Sequence, residues 1–198
     1  MPIAINGSGT VTGVSVGGLP DGIVDTDMLA ANAVTAAKAS GSAKGVTMLD
    51  EWRVTANFTP DQATTISSNW ERNDTVFSQI GTGMTESSGI FTFPQTGIYK
   101  ITVFFGGYSS GNSSYSGIQL RISTDSGSNY TNRGSAYQSQ TAGPTNPHFN
   151  GSIHYLMDVS NTSTHRVKLL IDRNASSTFF GGTGGNFTGV QFVRLGDS

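Results

Sequence analysis

The chain has 198 residues, 12% of them charged, with a formal net charge of −2 and no cysteine. This balance provides no basic footprint for nucleic acid, and it excludes a disulfide framework, a cysteine-ligated zinc site and a cysteine nucleophile. Gly, Ser, Thr and Asn supply 88 residues, a composition that suits strands, turns and loops and disfavours long helices.

No apolar run approaches the ~20 residues of a membrane-spanning helix, so no membrane insertion is expected. Met1-Pro2-Ile3-Ala4-Ile5-Asn6 has neither the basic region nor the apolar core of a secretion signal. Export by lysis or within a larger particle is the expected route. Residues 1–50 contain no aromatic side chain, and all 19 aromatics lie between Trp52 and Phe192. Cores are built from large side chains, so residues 1–50 are not expected to fold as a conventional globular domain by themselves.

Within that segment, residues 3–5 and 10–16 alternate as short strands, and Pro20-Asp21-Gly22 signals a turn. Asp27 stands where it would cap a short Ala-rich helix over residues 28–38. The large apolar residues of that helix are Met28, Leu29 and Val34, a narrow stripe suited to self-packing or to a host surface. A flexible tail is the alternative reading. Small residues at 39–45 read as a linker, giving an N-terminal arm over 1–50 and a head domain over 51–198. Ile3, Ile5, Val11, Val14, Val16 and Leu19 are the candidate anchor residues, because they need a covering surface and their strand edges can extend a neighbouring sheet.

Residues 51–198 read as all-β. Tyr99, Ile101, Val103 and Phe105 alternate along one strand, Ile118, Leu120 and Ile122 along a second, Ile153, Tyr155, Met157 and Val159 along a third, and Val167, Leu169 and Ile171 along a fourth. Further strands fit at residues 52–57, 76–80, 89–94 and 187–195. So many short strands predict a sandwich or jelly roll. Some strands are apolar on both sides: Ile98 and Phe104 oppose the Tyr99 face, and Phe187, Val193 and Leu195 oppose Val190 and Phe192. A two-sheet sandwich buries one face of each sheet, so a second apolar face predicts burial against other subunits.

No constellation in the chain carries chemistry. His148, His154 and His165 show no metal-ligand spacing and are expected at the surface. Asp21, Asp25 and Asp27 are spaced somewhat like a calcium loop but lack its turn glycine and closing glutamate. Asp50-Glu51 and Asp172 are isolated carboxylates, with no acid/base pair. Gly181-Gly182-Thr183-Gly184-Gly185 lacks the Lys-Ser/Thr of a phosphate cradle and reads as a loop. The expectation is a protein without catalytic residues, metal or cofactor. Loops over 109–116 and 127–147 set Tyr108, Tyr115, Tyr130 and Tyr137 among Ser, Gly and Asn, a mix suited to sugar contact. Solvated loops without a ligand are the equal alternative.

Gly89-Ile90-Phe91-Thr92-Phe93-Pro94-Gln95-Thr96-Gly97-Ile98-Tyr99 resembles the G-x-F-x-x-P-x-x-G-x-Y signature of the complement C1q/tumour-necrosis-factor jelly-roll superfamily. Phe187-Thr188-Gly189-Val190-Gln191-Phe192 resembles its closing strand, with Val190 in the usual Phe place, and the stretch from Leu156 to Ile171 resembles the strand pair before it. Pro94 ends a strand, Gly97 can take a positive φ in the turn, and Tyr99 then points inward. The resemblance covers residues 51–198. It implies a C1q/TNF-like jelly-roll β-sandwich and a compact homotrimer, with Phe91, Ile98, Phe104, Phe187, Val190 and Phe192 as interface candidates.

Gly9-Thr10-Val11-Thr12-Gly13-Val14-Ser15-Val16-Gly17-Gly18-Leu19-Pro20-Asp21-Gly22-Ile23-Val24-Asp25, followed by Ala33-Val34-Thr35-Ala36-Ala37-Lys38, is similar to N-terminal segments of tailed-bacteriophage fibre and other virion proteins. Together the two resemblances imply a structural protein of the virion, assembled in the cytoplasm of the bacterial host. Residues 1–50 would attach it to tail, baseplate or capsid proteins, and the head would touch host-surface glycans as a trimeric short fibre or appendage. The alternative is a capsid decoration protein whose trimers stabilise the shell.

Overall fold

The structure is a computed structural model of the whole chain, and it describes residues 4–5, 11–12, 45–75, 78–141 and 146–198. The chain divides between residues 43 and 44. In the first unit Ala4–Ile5 (β1) pairs antiparallel with Val11–Thr12 (β2), Ile5 opposite Val11. The expected turn at Pro20, the helix over 28–38 with its cap Asp27, and the anchor residues Ile3, Val14, Val16 and Leu19 lie outside the described residues.

The second unit is built from β3 (Met48–Val54), β4 (Trp70–Arg72), β5 (Thr85–Ser87), β6 (Ile90–Thr92), β7 (Gly97–Ser109), β8 (Ser113–Ser123), β9 (Thr131–Gln140), β10 (His148–Val159), β11 (Arg166–Arg173), β12 (Ser177–Phe179) and β13 (Gly189–Gly196). A six-stranded sheet runs β10-β7-β13-β3-β4, with β12 also on β7, and a five-stranded sheet runs β5-β6-β11-β8-β9. Every pairing is antiparallel. No helix occurs among the described residues.

The core forms where the expected alternations converge. Tyr99, Ile101, Val103 and Phe105 of β7 face Ile118, Leu120 and Ile122 of β8 and Val167, Leu169 and Ile171 of β11, and all of them are buried. Aromatic rings thread the space between the sheets: Phe91 meets Phe192 at 5.4 Å and Trp70 at 5.1 Å, and Phe93 meets Tyr99 at 4.8 Å. Gly97 has a φ of 135°, and a Cβ there would lie 2.4 Å from the Gly196 carbonyl oxygen. Tyr99 Oη donates to the Gln95 carbonyl at 2.9 Å, which ties the turn to the core.

Several expectations shift. The strand placed at 52–57 runs instead over Met48–Val54, so Met48 and Asp50 enter the interior. Asp50 is not an isolated carboxylate. It is wholly buried, and it accepts hydrogen bonds from Arg72 Nε at 2.9 Å, Trp52 Nε1 at 2.9 Å and the Met84 amide at 2.7 Å. This ion pair closes the edge of the six-stranded sheet against the segment leading into β5. Of the strand expected at 76–80, Val76 and Phe77 lie outside the described residues, and Ile80 makes an isolated bridge to Leu49.

The stretch read as a loop over 127–147 contains β9, an edge strand, and β8 begins inside the other loop at Ser113. Thr131-Asn132-Arg133-Gly134-Ser135 presents no apolar alternation because an edge strand over a polar surface needs none. His165 is buried rather than at the surface; its Nδ1 lies 2.8 Å from the Asn161 carbonyl oxygen in the turn between β10 and β11.

Candidate functional site

Among the described residues no group of three or more His, Asp or Glu side chains is placed to hold a metal ion. The sites on offer are the two outer faces of the sandwich. Each follows from the strand alternation, which sends every second residue of β7 and β8 away from the core.

On the outer face of the six-stranded sheet, β7 presents Ile98, Lys100, Thr102, Phe104 and Tyr108. Cross-strand register aligns Leu156, Lys100, Val193 and Leu49 in one row across four strands. Leu156 is 63% exposed, and Leu195 on β13 is 46% exposed. At the other end lies an aromatic patch. Tyr108 stands 6.2 Å from His148 and 5.8 Å from Phe180, and Phe180 stands 6.3 Å from Phe187, which is 48% exposed. Phe104 lies across Gly189, where a Cβ would come within 2.6 Å of its ring. A polar row divides the two ends: Thr102 Oγ1 lies 3.3 Å from His154 Nδ1, and Gln191 Nε2 donates to Glu51 at 3.0 Å.

This face corrects half of the expected interface. Phe91, Val190 and Phe192 are fully buried between the sheets, so they stabilise the fold and are not free to meet another subunit. Register decides the matter: Phe192 pairs with Ile101 and Val190 with Val103, and paired residues share a face. Ile98, Phe104 and Phe187 do lie outward. Leu156, Leu49 and Phe180 join them and were not among the expected residues. Leu156 shares its strand with exposed polar neighbours, and only the pairing with Lys100 and Val193 places it in an apolar row.

The outer face of the five-stranded sheet is polar. Three of the four tyrosines expected in loops sit on strands: Tyr108 on β7, Tyr115 on β8 and Tyr137 on β9. Tyr130 precedes β9, half-buried. Tyr115 and Tyr137 meet edge to face at 5.7 Å. The Tyr137 ring crosses Gly117, where a Cβ would fall 1.9 Å from the Ala136 carbonyl oxygen and 2.7 Å from the ring. Its Oη donates to Asp172 at 2.8 Å and accepts from Gln119 Nε2 at 2.9 Å. Gln62 Nε2 reaches the other Asp172 oxygen at 2.6 Å. Burial raises the pKa of the Asp172 carboxyl, but hydrogen bonds from Gln62, Tyr137 and Gln119 and the charge of Arg121 outweigh it and hold the group below the ordinary carboxylate range. Asp172 is therefore a structural anion that fixes an exposed tyrosine.

No family model and no curated protein matches the sequence. Among solved structures, Eiger TNF from S. frugiperda is similar with a TM-score of 0.60 and 10% identity, over 77% of this chain and 95% of that one. Murine APRIL is similar with a TM-score of 0.54 and 12% identity, over 74% of this chain and 98% of that one. At these identities the likeness shows the fold alone: a TNF-like jelly roll, all-β, in two antiparallel sheets.

Proposed function

We propose that the chain is a non-enzymatic structural protein of a bacteriophage virion, a trimeric short fibre or appendage whose jelly-roll head contacts host-surface glycans. The observation that carries the self-association is the outer face of the six-stranded sheet. It leaves Leu156, Leu195 and Phe187 between 46% and 63% exposed around β7, and covering them against a second chain would remove apolar surface from water. The fibre-like sequence of the N-terminal segment supports the virion setting, with the segment before β3, residues 1–43, as the attachment to neighbouring virion proteins.

Light scattering of the purified chain tests the assembly: a mass three times that of the chain is expected. Leu156→Asp should return a folded monomer, because the side chain is exposed within one chain and would be buried only between chains. A wild-type monomer at micromolar concentration would overturn the reading. Counting copies per virion tests the role. A few trimers fit an appendage, hundreds would replace it with shell decoration, and none would remove the virion setting.

A further inference from the structure

A second feature of the five-stranded sheet lies further along its outer face. Arg121 on β8 pairs directly with Lys168 on β11, so two cations stand side by side on one face. Like charges directly opposite are destabilising unless something between them carries the opposite charge. Among the described residues neither cation forms an ion pair. Arg121 Nε is buried and has no hydrogen-bond partner, and the same is true of Tyr130 Oη. Lys168 Nζ sits 4.1 Å over the Tyr130 ring, which holds the ring in place. These groups line a cleft of about 440 Å³ together with Ser128, Asn129 and Ala63.

The neighbouring charges are already engaged. Asp125 accepts from Ser123 and Asn129, Asp172 accepts from Gln62, Tyr137 and Gln119, and Arg166 donates to the carbonyls of Thr162, Ser163 and His165. Arg121, whose charge also acts on Asp172, and Lys168 therefore line one open cleft with the Tyr130 side chain.

We propose that this cleft binds the carboxylate of an acidic saccharide. The Arg121 guanidinium, which lines the cleft, supplies the planar N–H donors that match a carboxylate. Lys168, seated over the Tyr130 ring, supplies a second positive charge. Ser128 and Asn129 on the rim meet sugar hydroxyls. From Arg121 the face continues along β8 past Gln119 to Gly117, roughly 13 Å by strand rise, where the exposed Tyr137 ring offers a surface for a further sugar. The inference rests on the reading of the head as a glycan contact and names the chemistry of that contact.

Titration calorimetry of the full chain tests it, with oligogalacturonate and sialyllactose as acidic probes, maltooligosaccharide as the neutral one, and inorganic phosphate. An acidic saccharide should bind, more weakly as salt rises. Arg121→Gln should weaken it roughly tenfold to a hundredfold, the range for a hydrogen bond to a charged group. Lys168→Gln should weaken it too, while leaving the thermal midpoint without ligand unchanged or higher, because it removes one of two like charges placed directly opposite each other. Equal binding of the neutral saccharide, unaffected by Arg121→Gln, would overturn this inference and leave the glycan reading standing. Binding of phosphate without either acidic saccharide would overturn the carboxylate assignment. Binding of no saccharide would overturn both.

Discussion

Replacing Asp50 with alanine isolates the energetics that the sequence conceals most completely. The carboxylate is wholly buried and joins three segments: its own strand through Trp52 Nε1, β4 through the Arg72 guanidinium, and the segment before β5 through the Met84 amide. Removing one partner of a buried ion pair costs ~3–5 kcal/mol. The orphaned Trp52 and Met84 N–H groups act in the same direction. Arg72 moderates the loss: it is about one-third exposed, keeps its bond to the Met84 carbonyl at 2.7 Å and remains stacked 4.6 Å over Trp52. A net loss of about 3 kcal/mol follows, or roughly 6–12 °C in Tm for a unit of this size. Urea unfolding followed by tryptophan fluorescence reads it directly, because Trp52 reports on the site. Wild type and variant must be compared at one protein concentration, since association raises apparent stability. A loss below about 1 kcal/mol would refute the claim that this network is a structural clamp.

Phe192→Asp should unfold the head rather than dissociate it, because Phe192 is fully buried against Phe91 and Phe93; far-UV circular dichroism showing a folded monomer would contradict this. Gly117→Ala should cost about 1–3 kcal/mol by overpacking, since its Cβ would strike the Ala136 carbonyl and the Tyr137 ring; an unchanged thermal midpoint would argue against the packing described. Asp125 is held down at about 2, first by the Ser123 hydroxyl and then by the Asn129 amides. Because its folded pKa lies below the unfolded one, its contribution is complete above about pH 4 and is lost as pH falls toward 2. Asp125→Asn should flatten that part of the acid limb in a pH titration of stability, and an unaltered limb would remove Asp125 from it.

The legible parts of the fold were those where one strand carries its own answer. Gly97 marks the turn before Tyr99, and Ile101, Val103 and Phe105 follow Tyr99 at period two with Lys100 and Thr102 between them, so the inward face could be read although Ile98 and Phe104 make the other face partly apolar. The closing strand could not be read in the same way. Phe187, Val193 and Leu195 are apolar, and so are Val190 and Phe192, so alternation alone leaves the inward set undecided. The decision comes from register against β7, a contact across almost ninety residues of chain that no local pattern encodes. β9 was missed for the opposite reason: an edge strand with a wet outer face carries little apolar periodicity. The candidate sites followed the same division. The tyrosines were visible as residue types, whereas the pairing of Arg121 with Lys168 exists only once β8 and β11 are side by side.

The contrast between the two outer faces bears on the assembly more than either face does by itself. Few charged residues in the chain would by themselves be a reason for exposed apolar groups. Yet the outward positions of β8 are Tyr115, Gly117, Gln119 and Arg121, and those of β11 are Arg166, Lys168, Leu170 and Asp172, a mostly polar set. The outward positions of β7 and its neighbours in the other sheet include Ile98, Phe104, Leu156, Val193 and Leu49. Both sheets draw on one composition and pack on one core, so composition cannot account for the difference. What separates them is position on the molecule: one face is mostly polar, and the other carries the exposed apolar side chains on which the proposed self-association rests.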